Sequence, residues 1–194
     1  MKKLLLAAVA LVASLSLSAQ ITVGEQVASG TIGLVNNVYG GGYDSKLPPI
    51  SLSYEYGLME DAFEVPGLSI GVGGVFAYTS AKTLYTWGED VYGWKYGSII
   101  LAAKGWAHYD VLGLFDMQVD NLDTYAALTL GYNIGTTKKW GDWYEGADTS
   151  TSSVGGLIYG FSIGARYWFM DNLAANLELG YGLATINLGV SYRF

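Results

Sequence analysis

The chain has 194 residues, 51% hydrophobic and only 14% charged, with a formal net charge of −7 and a mean hydropathy of +0.28. Soluble domains average about 25% charged residues, so this composition is unusual for one. The absence of cysteine excludes disulfide staples and thiolate metal sites, and an acidic chain lacks the basic surface that nucleic acid demands.

Met1-Lys2-Lys3 is a short basic start, and Leu4 to Leu17 is an apolar stretch too short to span a bilayer. Ser18-Ala19-Gln20 places a small residue before a cut after Ala19. The expectation is a cleaved secretory signal over 1–19 and one domain over 20–194. Losing Lys2 and Lys3 takes the charge from −7 to −9. Beyond the signal no run of about 18 apolar residues occurs, so no helix is expected to cross a membrane.

The remaining apolar residues recur at every second position. Ala28 to Tyr39 is the first candidate strand, with Asn36 and Asn37 blurring its faces. Next, Ile50, Leu52, Tyr54 and Tyr56 oppose Ser51, Ser53, Glu55 and Gly57. Ile70, Val72, Phe76 and Tyr78 then oppose Ser69, Gly71, Gly73, Ala77 and Thr79. Gly97 to Tyr109 sets Lys104, Trp106 and His108 against Ile99, Leu101, Ala103 and Ala107. Leu128, Leu130, Tyr132 and Ile134 oppose Ala127, Thr129, Gly131 and Asn133. Leu157, Tyr159, Phe161, Ile163, Tyr167 and Phe169 oppose Gly160, Ser162, Gly164, Arg166 and Trp168. Leu173, Leu177, Leu179 and Tyr181 oppose Ala174, Asn176, Glu178 and Gly180. Finally, Ile186, Leu188, Val190, Tyr192 and Phe194 oppose Thr185, Asn187, Gly189, Ser191 and Arg193. Successive strand side chains point to opposite faces, so each segment has one bulky apolar face and one small or polar face.

A soluble eight-stranded barrel of the lipocalin kind also alternates, but its bulky face must fill the interior. Here the other face is glycine, alanine and serine with a few charges. That face makes a poor soluble surface and a good lining for a narrow lumen. The fold expected is all-β: an eight-stranded antiparallel up-and-down transmembrane β-barrel with greasy residues outward.

With both termini periplasmic, outer loops are expected at Gly40 to Leu47, Ser80 to Tyr96, Gly135 to Ser153 and Gly182 to Ala184. Turns are expected at Leu58 to Gly67, Asp110 to Leu122 and Met170 to Asn172. The first two turns are longer than such barrels need. Tyr85, Trp87, Tyr92, Trp94 and Tyr96 fall in the second loop, and Trp140, Trp143 and Tyr144 in the third. These rings suit either an interfacial girdle or recognition of an extracellular glycan or protein. Inward positions collect Glu55, Lys104, His108, Arg166 and Glu178. Arg166 and Glu178 sit diagonally on adjacent strands and are expected to pair, either as a plug or as a gate for small solutes. His108 is the sole histidine, with no serine near it in sequence, so no catalytic set, cofactor or metal site is expected.

Pro48-Pro49-Ile50-Ser51-Leu52-Ser53-Tyr54-Glu55-Tyr56-Gly57, Tyr125-Ala126-Ala127-Leu128-Thr129-Leu130-Gly131-Tyr132-Asn133 and the terminal Tyr192-Arg193-Phe194 resemble small outer-membrane barrels of the OmpX/OmpA-like type, in their Bacteroidetes form. The resemblance covers nearly all of 20–194. It implies outer-membrane lipid as surroundings and a structural, adhesive or undefined role. It also implies a C-terminal signal for the barrel-assembly machinery, formed by Phe194 with Tyr192, Val190 and Leu188 on its face. A minor pore, and a lipid-modifying enzyme using His108, are the alternative functions.

Overall fold

The computed structural model describes residues 20–115, 117, 119, 121–141 and 151–194. The expected signal and the aromatics Trp143 and Tyr144 lie outside the described residues. Eight strands follow in chain order: β1 (Gln26–Gly33), β2 (Ser45–Met59), β3 (Ser69–Trp87), β4 (Asp90–His108), β5 (Leu122–Gly141), β6 (Ser152–Met170), β7 (Leu173–Tyr181) and β8 (Ile186–Arg193). Each pairs antiparallel with its sequence neighbour, and β1 pairs with β8, from Val27↔Arg193 to Gly33↔Asn187, closing the ring. No helix among the described residues is long and apolar enough to cross a membrane.

Directly opposite residues share a face, so register decides what the ring encloses. Val75, Ala102, Gly131 and Ile158 form one inward row; Phe76, Leu101, Tyr132 and Leu157 form the next, outward one. The bulky rows are the exposed ones: Leu52 is 62% exposed, Leu130 64% and Leu157 79%. The interior instead holds Ser29, Glu55, His108, Asp123, Ser162, Arg166 and Ser191, all buried. The inside-out assignment expected from alternation is therefore the observed one.

Three expectations are corrected. β1 ends at Gly33, short of Tyr39, because Asn36 turns inward and donates to Thr79 Oγ1 at 2.7 Å. The stretch Ser80 to Tyr96 is not a loop. β3 and β4 continue paired to Trp87↔Asp90 around a two-residue turn, where Gly88 (φ 63°) supplies the positive φ that such a turn needs. Likewise β5 runs to Gly141, so only 142–151 connects it to β6. Polar threonines and lysines alternating with rings suit a two-sided exposed hairpin as well as they suit a loop, which hides the strand ends from a pattern reading.

The consequence is a ring of unequal walls. β1, β7 and β8 have 8, 9 and 8 residues, near the about 9–11 that cross a bilayer at a tilt, whereas β3 to β6 have 19 or 20. The surplus projects as a four-stranded sheet from the end opposite the termini. Its two flanks differ. On β2, Pro48 and Pro49 fall at an irregularity between Leu47 and Ile50, beyond the last β1 pair at Ile32↔Ile50, so neither neighbour misses their N–H. On β6, pairing with β7 stops at Phe161↔Tyr181, leaving Ser152 to Gly160 without a ladder partner on that side.

An arginine at an outward midwall position tests the wall. Leu130→Arg should cost about 2–4 kcal/mol in a bilayer, read by denaturant unfolding in vesicles. Thr129→Ser, on the inward side of the same strand, should cost far less.

Candidate functional site: the charged lumen and the projecting sheet

Inside the ring, Glu55 (β2), His108 (β4), Asp123 (β5) and Arg166 (β6) converge from four strands. His108 Nδ1 lies 2.8 Å from Asp123 Oδ1, and its Nε2 lies 2.6 Å from Glu55 Oε1. Arg166 Nη2 donates to Glu55 Oε2 at 2.5 Å, while Nη1 faces Asp123 Oδ2 at 3.6 Å, an ion pair too long for a direct hydrogen bond. Each imidazole–carboxylate contact holds one proton, wherever that proton is centred, so with the guanidinium the four side chains sum to zero charge. Charges this buried are tolerable only when compensated in this way.

Toward the projecting sheet, Lys104 Nζ donates to both oxygens of Glu178, at 2.7 and 2.8 Å. Tyr125 links the two groups: its hydroxyl lies 3.0 Å from Asn176 Oδ1 and 3.1 Å from Glu178 Oε2, and the Arg166 guanidinium sits 4.8 Å over its ring. Two glycines make room. A Cβ on Gly71 would overlap the Glu55 carboxylate, and one on Gly164 would overlap the Tyr125 ring.

The structure brings all five inward residues singled out by alternation into the lumen, but pairs them differently. Arg166 does not meet Glu178; it crosses the lumen to Glu55, and Glu178 takes Lys104. Strand adjacency favours the first pairing, but Arg166 stands opposite Asn176 while Glu178 stands opposite Gly164, and the narrow ring puts the far wall equally within reach. Asp123 is not among the expected inward residues because the alternation on this strand is read only from Ala127 onward, whereas β5 begins at Leu122. Its parity with Tyr125, Ala127 and Thr129 is the signal that finds it. The nitrogen of His108 that a hydrolase would aim at a nucleophile is aimed at Glu55 instead. Among the described residues no set of three metal-type ligands is arranged to hold an ion.

Both mouths are covered. At the termini end, Ile21 is buried with Val27, Trp168 and Ala174, and the Glu25 carboxylate forms an ion pair with Arg193, Oε1 to Nε 2.6 Å. The Arg193 guanidinium stacks 3.9 Å over Trp168. At the far end, Asn36 reaches Thr79, and the Tyr39 hydroxyl lies 2.8 Å from Ser98 Oγ.

Above the Tyr39 cover, the inner face of the projecting sheet is aromatic. Tyr39, Tyr43 and Tyr96 pack with centroids 5.4–6.3 Å apart, Tyr85 stacks on Tyr92 at 5.9 Å, and Trp87 is 77% exposed. Lys139 lies 5.6 Å over Trp94, and Lys46 lies 5.7 Å over Tyr43. Tyr85, Trp87, Tyr92 and Trp94 are thus strand residues sharing one face, whereas Trp140, near Lys82, points to the other. Leu188, Val190, Tyr192 and Phe194 line the outward face at the C-terminus, with Tyr192 and Phe194 rings 5.0 Å apart.

No family model matches this chain, and no curated protein matches it. Among solved structures it is similar to a de novo designed transmembrane β-barrel, at 16% identity over 90% of this chain and 99% of the other, with a TM-score of 0.50. It is also similar to Ail, the attachment invasion locus protein of Yersinia pestis, in complex with the heparin analogue sucrose octasulfate. That match has 17% identity over 89% of this chain and 100% of the other, with a TM-score of 0.51. Likeness at these identities is a likeness of fold: the chain is a transmembrane-type β-barrel of eight antiparallel strands.

Arg166→Ala would leave Glu55 buried with only His108 as partner, and should destabilise the barrel by about 3–5 kcal/mol. Replacing Arg166 by Met and Glu55 by Leu together should recover much of that loss. Denaturant unfolding in micelles reads both, and equal losses for the single and double variants would refute the coupling.

Proposed function

We propose that the chain is an integral outer-membrane protein of the small OmpX/OmpA-like group, in its Bacteroidetes form. Residues 1–19 export it and are removed. The C-terminal face of Leu188, Val190, Tyr192 and Phe194 is read by the barrel-assembly machinery. The termini then lie in the periplasm and the projecting sheet outside the cell. The protein works without catalysis, by binding an extracellular glycan or protein on that sheet.

The observation that carries this reading is the sheet itself: four strands continue well past the length a bilayer needs and present stacked rings flanked by lysines on one face. Rings with a polar rim suit sugars and protein side chains alike. Ail, named for attachment and solved with a sulfated sugar analogue, supports an extracellular ligand as the class. A lumen filled by cross-lumen ion pairs, with both mouths covered, favours surface interaction over the pore.

Purified barrel should bind a subset of an array of glycans and extracellular-matrix proteins, and a Tyr43→Ala, Tyr96→Ala, Trp94→Ala variant should lose at least tenfold of that signal. Identical profiles for the two proteins would sink the reading. In planar bilayers the wild type should show no steady single-channel openings; openings that change when Arg166 and Glu178 are replaced would favour the pore.

A further inference from the structure

Ten Lys and Arg residues occur in the chain. Two lie in the expected signal, Lys104 and Arg166 are paired in the lumen, and Arg193 is at the termini end. The remaining five all lie toward the projecting end, Lys82, Lys95, Lys138 and Lys139 on the projecting sheet and Lys46 beside it on β2. The same end carries Asp44, Glu89 and Asp90, and the chain between β5 and β6 contains Asp142, Glu145 and Asp148, so what sets these lysines apart is their placement and not a net positive charge.

Three of these lysines form a row. Lys82 stands directly opposite Lys95, and Lys95 directly opposite Lys138, on adjacent strands β3, β4 and β5. Like charges so placed repel. All three are exposed, and among the described residues none has a carboxylate within ion-pairing distance. The adjoining Asp44 carboxylate accepts the Leu84 N–H at 2.6 Å instead. Lys82 rests 5.6 Å from the Trp140 ring on the same face.

The position of the row identifies what neutralises it. The lysines lie on the outward face, continuous with the bulky apolar wall and not with the aromatic inner face. On β3 the outward positions read Tyr78, Ser80, Lys82; on β4 Ile99, Gly97, Lys95; on β5 Ile134, Thr136, Lys138. Each lysine is therefore two outward positions beyond the bulky wall residue of its strand, with Leu84, Val91 and Trp140 further out on the same face. That is about 13 Å along the strand, nearer 10 Å along the axis at a tilt of about 40°. Cations at that height above an acyl boundary, on flexible stems able to reach back toward it, meet lipid headgroups.

We infer that the Lys82–Lys95–Lys138 row is a docking site for the phosphate groups of an anionic lipid in the outer leaflet. It holds the barrel at a fixed depth and rotation beside that lipid. This rests on the membrane placement proposed above, but not on ligand binding by the inner aromatic face.

The test uses the intact barrel in a neutral detergent, with native mass spectrometry reading retained lipid. Phosphatidic acid is the phosphate-bearing probe, phosphatidylcholine the zwitterionic one, and inorganic phosphate and sucrose octasulfate the soluble ones. The wild type should retain phosphatidic acid at least tenfold more tightly than phosphatidylcholine, and raised salt should erode the preference. K82Q/K95Q/K138Q should lose the preference, and K82R/K95R/K138R should keep it. Because three changes could impair folding, K95Q alone is read alongside and should weaken retention several-fold. A glutamine triple that still prefers phosphatidic acid overturns the site. So does octasulfate or free phosphate binding to the row without any lipid preference, which would make it a site for soluble polyanions. The Tyr43, Tyr96, Trp94 variant should keep the lipid preference, so the two proposals fail separately.

Discussion

A peptide group left without a hydrogen-bond partner in hydrocarbon costs several kcal/mol, and a sheet has two edges on which every second group is unpartnered. The pairing of β1 with β8, from Val27↔Arg193 to Gly33↔Asn187, removes both edges at once, and everything else in the wall follows from it. Once the ring is shut, each strand has one face toward lipid and one toward its fellows. Sequence parity alone then decides whether a residue is solvated by acyl chains or packed in the lumen. A slip by one residue at the closing seam would exchange the two faces of β1 or β8, putting Val190 inside and Ser191 in lipid.

Eight strands enclose so little space that the lumen must be packed by its own side chains. The solution here places very large and very small residues side by side: Trp106 beside Gly71, Tyr125 beside Gly164, Glu55 beside Gly73. The charged groups obey a second condition, that they sum to nothing. Glu55, Asp123, His108 and Arg166 cancel, as do Lys104 and Glu178, so the wall surrounds a rigid, polar, electrically neutral filling. Such a filling fixes the ring and leaves the ends free to carry the function.

Period-two alternation made the wall readable from the amino-acid order, since a residue such as Leu130 or Tyr132 has one acceptable side once lipid is outside. The same rule assigned Lys104, His108 and Glu178 to the interior. It failed where burial ceases to discriminate. In the hairpin of β3 and β4 both faces are exposed, Tyr85 and Trp87 on one and Leu84 and Thr86 on the other, so periodicity no longer marks where strand becomes loop. It also failed for pairing across the lumen. Which wall Arg166 reaches depends on the shear of the closed ring, a property of all eight strands together. Asp123 escapes the rule for a smaller reason: the alternation is clear only from Ala127 onward, although the strand begins at Leu122.

The stretch of β6 from Ser152 to Gly160, bare on one flank, sets a limit on the lipid that surrounds this protein. Its free amide and carbonyl groups require water, so on the β6–β7 side acyl chains have a ceiling at the level of Gly160 and Tyr181. On the β3–β5 side the ladders remain complete far higher, and there the outward lysines, not the backbone, set the limit. Spin-label depth measurements along 152–160 would read that ceiling directly. Hydrocarbon can therefore climb one wall further than the other, so the barrel is suited to a lean in its bilayer, or to a bilayer that thins along one arc of its circumference.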